Sequence, residues 1–143
     1  MTPATQQHMH DPENGIYGDC QRAVIASLLD LPIETVPHFL QEAKGDASDF
    51  WERIQTFCAG YGYAYVSFRG PMRPLLFGSD ADVYHEISGP SPRRAGVFHA
   101  VVGRNGTPYH DPHPSRAMLA GDPSEWEHSY LVRLSLRGAG YVY

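Results

Sequence analysis

Cys20 has the residue type and the position in the chain that a nucleophile needs. It opens the apolar run CQRAVIASLLD, which predicts a buried helix from Cys20 to Asp30 with Asp19 as its N-cap. The thiolate is the reactive form of cysteine, and the dipole and free N–H groups of a helix N-terminus favour it. A buried structural thiol would occupy the same position, so this feature alone does not decide between the two.

His99 is the candidate general base, because it is the only strongly polar side chain in the middle of the predicted strand GVFHAVVGR. A buried imidazole needs a partner for each ring nitrogen. A satisfied core histidine and a base held by a carboxylate both meet that need. Which of these two roles His99 has depends on whether the chain brings a carboxylate to the same face of the sheet.

Asp111 is the carboxylate that a hairpin would bring to His99. A two-residue turn at Asn105 and Gly106 would leave Asp111 on the opposite face of the sheet from His99. A three-residue turn over 104–106 would set Asp111 directly across from His99, with Cβ atoms about 4.5–5.5 Å apart. We predict the three-residue turn, with a bulge at Gly106, because glycine tolerates the left-handed backbone required there.

Asn14 is the candidate oxyanion donor, since it lies six residues before Cys20. Acyl transfer through a tetrahedral intermediate needs donors directed at the developing oxyanion, and the Asn14 amide with the Cys20 backbone N–H would supply two. Asn14-Gly15 is also a common turn pair, which gives the alternative interpretation.

Arg93 and Arg94 are candidate substrate-binding residues, because they immediately precede the strand that carries His99. Guanidinium groups at that position would bind a carboxylate or a phosphate of the substrate. Ordinary solvated arginines in a loop rich in proline and glycine would give the same pattern.

The order amide, nucleophile, base and orienting carboxylate is similar to that of papain-like cysteine peptidases. The segments DCQRAVIASLL, FHAVVGRNG and YHDPHP resemble in particular the bacteriocin-leader peptidase domain of ABC exporters, over the span Asn14 to Pro112. The chain also resembles uncharacterised phage and bacterial proteins of this size. It departs from the leader-peptidase pattern at Asn14, where that family has glutamine. It departs again at Gln21, where a small residue is common, and there the larger side chain would contact substrate.

The resemblance implies a cysteine hydrolase that cleaves an amide or isopeptide bond of a peptide or protein. His99, oriented by Asp111, would take the proton of Cys20, and the sulfur would form a thioester acyl-enzyme that water releases. An amine in place of water would make the same site an acyltransferase. The other alternative is a papain-like binding module that recognises a host or partner protein without turnover.

The elements that must position these residues fall into two groups along the chain. The first half predicts helices and the second half predicts strands, which together indicate an α+β domain with an antiparallel sheet. The resemblance makes this papain-like, with the nucleophile on a central N-terminal helix packed on the sheet. We predict one domain over 1–143 with an irregular lead-in over 1–15. Predicted helices lie at 20–30, near Ile33 and at 47–60, and predicted strands at 63–68, 83–87, 96–104, 107–111 and 126–136.

Composition and charge exclude several classes of function. The formal net charge of −5 argues against a nucleic-acid binder, which needs a basic surface. No apolar run reaches the roughly 20 residues needed to cross a bilayer, and the polar N-terminus lacks a signal-peptide core, so we expect a cytoplasmic protein without membrane contact. Eight histidines raise a metal-dependent hydrolase as a further alternative, but with two distant cysteines and no paired ligand clusters we expect neither metal nor cofactor.

Overall fold

Helices precede strands along the chain in the computed structural model, which describes residues 1–70 and 80–135. The described α-helices are α1 (Cys20–Leu28), α2 (Phe39–Glu42) and α3 (Ala47–Gly60). The described strands are β1 (Tyr63–Arg69), β2 (Tyr84–Pro90), β3 (Phe98–Arg104), β4 (Thr107–His110) and β5 (Glu127–Arg133). This arrangement confirms the predicted α+β class.

The strands form a single sheet in the order β1-β5-β2-β3-β4, and each described neighbouring pair is antiparallel. The predicted strands match these five within a few residues, although β2 extends three residues beyond its predicted end, to Pro90. The predicted end of the last strand, Leu136, lies outside the described residues. Strand β3 lies between β2 and β4, so its buried middle can receive partners from both neighbours.

Helix α1 is apolar around most of its circumference and lies inside the fold. On one side Val24 packs against Ala100 and Val102 of β3. Elsewhere Ile25 and Ala26 join a core cluster that includes residues of α2, α3 and β1. A helix buried on several sides cannot shift without opening the core, so its first residue is held in a fixed position beside β3. The helix ends at Leu28, two residues before the predicted end.

Helix α3 has the predicted bounds, and Asp46 caps it by accepting a hydrogen bond from the Asp49 N–H at 2.8 Å. Cys58 is fully buried among apolar residues of the core. Trp51, on the same helix, is not a core residue, because 41% of it is exposed. It stands at the side of α3 that borders the candidate site.

The β3–β4 hairpin differs from the predicted one. Arg104 pairs with Thr107, so the turn has two residues, and both have left-handed backbones (Asn105 φ 52°, Gly106 φ 87°). The three-residue turn with a bulge at Gly106 is therefore wrong. The bulge lies one step further on, where the register shifts between Val102 and Gly103. The extra residue on β4 reverses the alternation of its side chains, which returns Asp111 to the face of His99.

The lead-in over 1–15 lacks regular strands and α-helices, as predicted, but it is closely attached to the fold. The Ala4 N–H donates to Oγ of Ser27 on α1 at 2.9 Å, and the Gln6 N–H donates to the carbonyl of Pro112 at 3.0 Å. The lead-in thus connects the central helix to the segment that follows β4.

In the part of the chain that the structure describes, no single helix is long and apolar enough to cross a membrane. The pair formed by Cys20–Leu28 and Ile33–Glu42 meets the same length and composition criteria together, with a bend of 106° between its halves.

Candidate active site

Cys20 is the first residue of α1 and is half-buried at the base of a cleft. The preceding Asp19 does not cap the helix as predicted. Its carboxylate instead accepts hydrogen bonds from the backbone N–H groups of Gln7 and His8, at 2.9 and 2.7 Å, and an ion pair from Arg22 at 3.3 Å. The negative charge beside Cys20 is therefore directed away from the helix amides and is compensated by other groups.

His99 lies in β3, is 5% exposed and donates from Nε2 to Oδ1 of Asp111 at 2.7 Å. The predicted contact between this imidazole and this carboxylate is thus present, although a different hairpin creates it. Because Nε2 is used by Asp111, Nδ1 is the ring nitrogen available to another partner.

That other partner is Cys20, whose side chain lies beside the His99 ring in the cleft and stabilises the charged form of that ring. Burial by itself would lower the pKa of His99. The hydrogen bond to Asp111 and the proximity of Cys20 outweigh burial and raise the pKa of His99 to about 9. A charged imidazole between a sulfur and a carboxylate is the protonation state that these neighbours favour at neutral pH.

Asp111 is fully buried, and its other contacts fix the carboxylate in place. Oδ1 also accepts from the His113 N–H at 2.8 Å, and Oδ2 accepts from the Met118 N–H at 2.7 Å. Burial would raise the pKa of Asp111, but the bonds from His99 and these amides lower it to about 2. The carboxylate therefore stays ionised over the whole physiological range and can orient His99.

The cleft has two lobes that meet at Cys20 and His99. The apolar lobe has a volume of about 320 Å³. Its walls include the apolar side chains of Phe39, Leu40, Phe50, Trp51, Phe98 and Ala100. The cationic lobe has a volume of about 430 Å³, and its walls include Gln6, His10, Arg93, Arg94 and His113. A substrate lying across the sulfur would contact both lobes.

Asn14 is not brought to this cleft, so the predicted oxyanion donor is misplaced. It belongs to an exposed turn of 3-10 helix, Pro12–Asn14, where its Nδ2 donates to Asp11 at 2.6 Å. Neither lobe includes Asn14 among its described lining residues. The alternative interpretation of Asn14-Gly15 as a turn therefore applies, and Gly15 has the left-handed backbone of such a turn (φ 72°).

Gln21, the other predicted substrate contact beside Cys20, lies on the wall of the apolar lobe, but its amide is already bound. Nε2 of Gln21 donates to Oε2 of Glu86 at 2.6 Å and to the hydroxyl of Tyr65 at 3.3 Å. Burial raises the pKa of Glu86, a fully buried residue, to about 7 despite these bonds. Gln21 thus supports a buried polar group under α1. Arg93 and Arg94, in contrast, do line the cleft as predicted.

Gln6 is the cleft residue that sequence reasoning missed. It is 7% exposed, its Nε2 donates to the His8 carbonyl at 2.8 Å, and its Oε1 has no hydrogen-bond partner among the described residues. The only local sign of this role in the sequence is a glutamine upstream of Cys20. The number of residues between Gln6 and Cys20 does not show that the lead-in folds back over α1.

A group of possible metal ligands lies at one side of the site. His8, Asp19 and His38 offer ligand atoms that are all within 4.8 Å of one another. Each of them already has protein partners: Asp19 binds two backbone amides and Arg22, and Nε2 of His38 donates to the Tyr17 carbonyl at 2.9 Å. A metal ion here would have to displace those bonds and approach the guanidinium of Arg22.

Comparisons with family models, with curated proteins and with solved structures found no match.

Proposed function

We propose that the chain is a papain-like cysteine hydrolase that cleaves an amide or isopeptide bond through a thioester acyl-enzyme. The observation that carries the proposal is the position of one imidazole between a cysteine at a helix N-terminus and a buried carboxylate, in a cleft open to a substrate. Nucleophile, base and orienting group in mutual contact are what covalent acyl transfer requires.

In the proposed mechanism the resting site is a thiolate–imidazolium pair, in which Nδ1 of His99 already holds the proton of the Cys20 thiol, and the sulfur attacks the substrate carbonyl. The imidazolium then protonates the leaving amine as the C–N bond breaks. Water, deprotonated by His99, attacks the thioester and releases the acid and the thiol. Asp111 keeps the ring oriented and stabilises its charged form in each step.

The oxyanion of the tetrahedral intermediate would form beside the N-terminus of α1, where the Cys20 backbone N–H provides one donor. We assign the second donor to Gln6 in place of Asn14, because Gln6 is nearly buried and lines the same lobe as the sulfur. Its Nε2 lies 3.8 Å from Sδ of Met9. A thioether is a weak acceptor, so a substrate oxyanion would compete with it readily for that N–H.

Alkylation with iodoacetamide between pH 5 and 9, followed by peptide mapping, tests the proposal. We expect Cys20 to react rapidly well below pH 8, and His99→Ala to lose most of that reactivity. Cys58 serves as an internal control, because burial raises the pKa of its thiol to about 12 and should keep it inert. Slow reaction of Cys20, unaffected by His99→Ala, would contradict a catalytic role.

Turnover distinguishes an enzyme from a binding module on the same scaffold. A library of fluorogenic peptide amides should yield hydrolysis that Cys20→Ser abolishes, and Cys58→Ser should leave it unchanged. A rapidly alkylated Cys20 without cleavage of any peptide or thioester would favour the binding module.

A further inference from the structure

The two lobes of the cleft differ in charge. The described residues that line the cationic lobe include Arg93 and Arg94 and no carboxylate. The apolar lobe includes Asp19, Arg22 and Glu127 among its described lining residues, besides its aromatic side chains, and there Asp19 and Arg22 form an ion pair at 3.3 Å. Because the lobes meet at Cys20 and His99, a substrate attacked there is exposed to opposite chemical environments on the two sides of its carbonyl.

The arginines of the cationic lobe are only partly neutralised. Arg94 approaches Glu13 at 4.0 Å, but Glu13 is 86% exposed and such a surface pair is weak. Arg93 lies 3.6 Å from Asp111, which already accepts bonds from His99 and two backbone amides. The cationic lobe therefore has positive charge that is not neutralised by the protein and that can bind an anion of the substrate.

Two imidazoles add neutral donors to the same lobe. Burial lowers the pKa of His10, and Arg94 lowers it further against the weaker opposing effect of Asp11. Burial and Arg93 likewise lower the pKa of His113. Nδ1 of His10 accepts from the Gly18 N–H at 3.2 Å, so its Nε2 carries the proton and can donate. The lobe thus has two fixed cations and neutral N–H donors, which suits a carboxylate.

The apolar lobe has large side chains that are left exposed to water. Phe98 is 76% exposed and borders both lobes, and Trp51 is 41% exposed. Burying such surface under a ligand is favourable, since apolar area gains free energy when it is removed from water. The volume of about 320 Å³ is enough for an aromatic or branched aliphatic group.

We infer that the substrate is a peptide-like acyl compound with a large apolar group on one side of the scissile carbonyl and a carboxylate on the other. The carboxylate binds Arg94 and Arg93, and the apolar group packs on Phe98 and Trp51. This inference rests on the proposed hydrolase function and adds the substrate class.

Three alkylating reagents that differ only in what they carry beside the reacting carbon test the inference. Iodoacetate is anionic, iodoacetanilide is aromatic, and iodoacetamide is small and neutral. In each case the Cys20 sulfur forms a bond to carbon as the C–I bond breaks and iodide leaves. The measured quantities are the rates with iodoacetate and iodoacetanilide relative to iodoacetamide, because these ratios cancel any general change in the reactivity of the thiol.

For the cationic lobe, we expect Arg94→Glu to lower the iodoacetate ratio about ten-fold, as for the loss of a charged hydrogen bond. Arg94→Gln should give a smaller fall, and added salt should reduce the wild-type ratio by screening. Arg133→Glu makes the same change of charge at an exposed position outside the cleft and should leave the ratio unchanged. Equal ratios in the wild type, Arg94→Glu and Arg133→Glu would overturn the inference.

For the apolar lobe, Phe98→Ala should lower the iodoacetanilide ratio several-fold, while Phe68→Ala, which removes an exposed aromatic side chain of β1 outside the cleft, should leave both ratios unchanged. An unchanged iodoacetanilide ratio in Phe98→Ala would overturn this half of the inference. The hydrolase proposal is judged on other quantities, the absolute rate with iodoacetamide and its loss in His99→Ala. The two can therefore fail separately.

Discussion

At the scale of single residues, the site depends on the buried carboxylate of Asp111, which holds the imidazole of His99 in place. The Asp111 carboxylate accepts hydrogen bonds from two backbone N–H groups besides the one from His99, so its position does not depend on the histidine. The raised pKa of His99 and the lowered pKa of Asp111 are two consequences of the same contact. The pair therefore has a defined pH window for both stability and activity.

The sign of the pH dependence follows from those shifts. His99 has a folded pKa of about 9, above its ordinary value, so the stability it contributes is complete below pH about 6.5 and is lost as the pH rises through 9. Asp111 has a folded pKa of about 2, so its contribution is complete above pH about 4 and is lost as the pH falls through 2. The pair contributes most between pH 4 and 6.5.

The substitution Asp111→Asn tests this pair through the pH–rate profile of hydrolysis. We expect the alkaline limb of kcat/KM in the wild type to lie near pH 9, where the imidazolium loses the proton that it gives to the leaving amine. Loss of the carboxylate should move that limb down by about 1 unit or more. Asp80→Asn, the same change at an exposed position outside the cleft, should leave it in place. An alkaline limb that Asp111→Asn does not move would show that Asp111 does not set the pKa of His99.

At the scale of elements, local patterns predicted α1, α3 and the strands, because apolar periodicity, caps and breakers act over a few residues. The short helix predicted near Ile33 is instead a 3-10 turn, Ile33–Thr35, followed by α2 from Phe39. The contact between His99 and Asp111 was also predicted, but the prediction assumed a three-residue turn that does not form. Asn105 and Gly106 favour a two-residue turn, which is what forms, and the bulge that restores the register lies in β4 instead. There the side chain of His110 bonds to the carbonyl of Ala4 at 2.8 Å, a contact from the far end of the chain that local patterns do not contain.

Gly103 lies at this bulge and leaves room for side chains of β2. A Cβ atom there would lie 2.7 Å from Cδ1 of Ile87 and 2.9 Å from Cε1 of His85, both fully buried. We expect Gly103→Ala to lower the free energy of unfolding by about 1–3 kcal/mol, since a tightly packed core must move to accommodate the methyl group. Urea unfolding followed by fluorescence measures the change.

Gly60→Ala is the matched control, because a Cβ atom there meets nothing within 4 Å and the residue ends α3. It should leave the stability unchanged or raise it slightly, through helix propensity. Equal stability of Gly103→Ala and Gly60→Ala would mean that the core accommodates a methyl group at the bulge without cost.

At the scale of the whole molecule, the lead-in completes the site from a distance. Gln6 reaches the cleft because the chain around it is held at both ends, by Asp19 at Gln7 and His8 and by Pro112 at Gln6 itself. Asn14, although nearer to Cys20 along the chain, is turned outwards by its own local bond to Asp11. The sequence could not reveal that Gln6 takes the place predicted for Asn14. The lead-in is held by the buried carboxylate of Asp19, which bonds to backbone N–H groups, and residues of any type carry those groups.

Asp19→Ala should therefore affect both stability and the site. It leaves the amides of Gln7 and His8 without an acceptor and removes the ion partner of Arg22, so we expect a loss of about 2–3 kcal/mol in the free energy of unfolding. Faster hydrogen exchange at residues 7 and 8, and a fall in kcat larger than the loss of folded protein explains, would show that the lead-in has been released.

Asp46→Ala removes the cap of α3 instead, at a cost of about 1 kcal/mol, and should leave exchange at residues 7 and 8 unchanged. If both variants changed exchange at these residues equally, the Asp19 anchor would be no more than a general contribution to stability, and the assignment of Gln6 to the oxyanion would lose its structural basis.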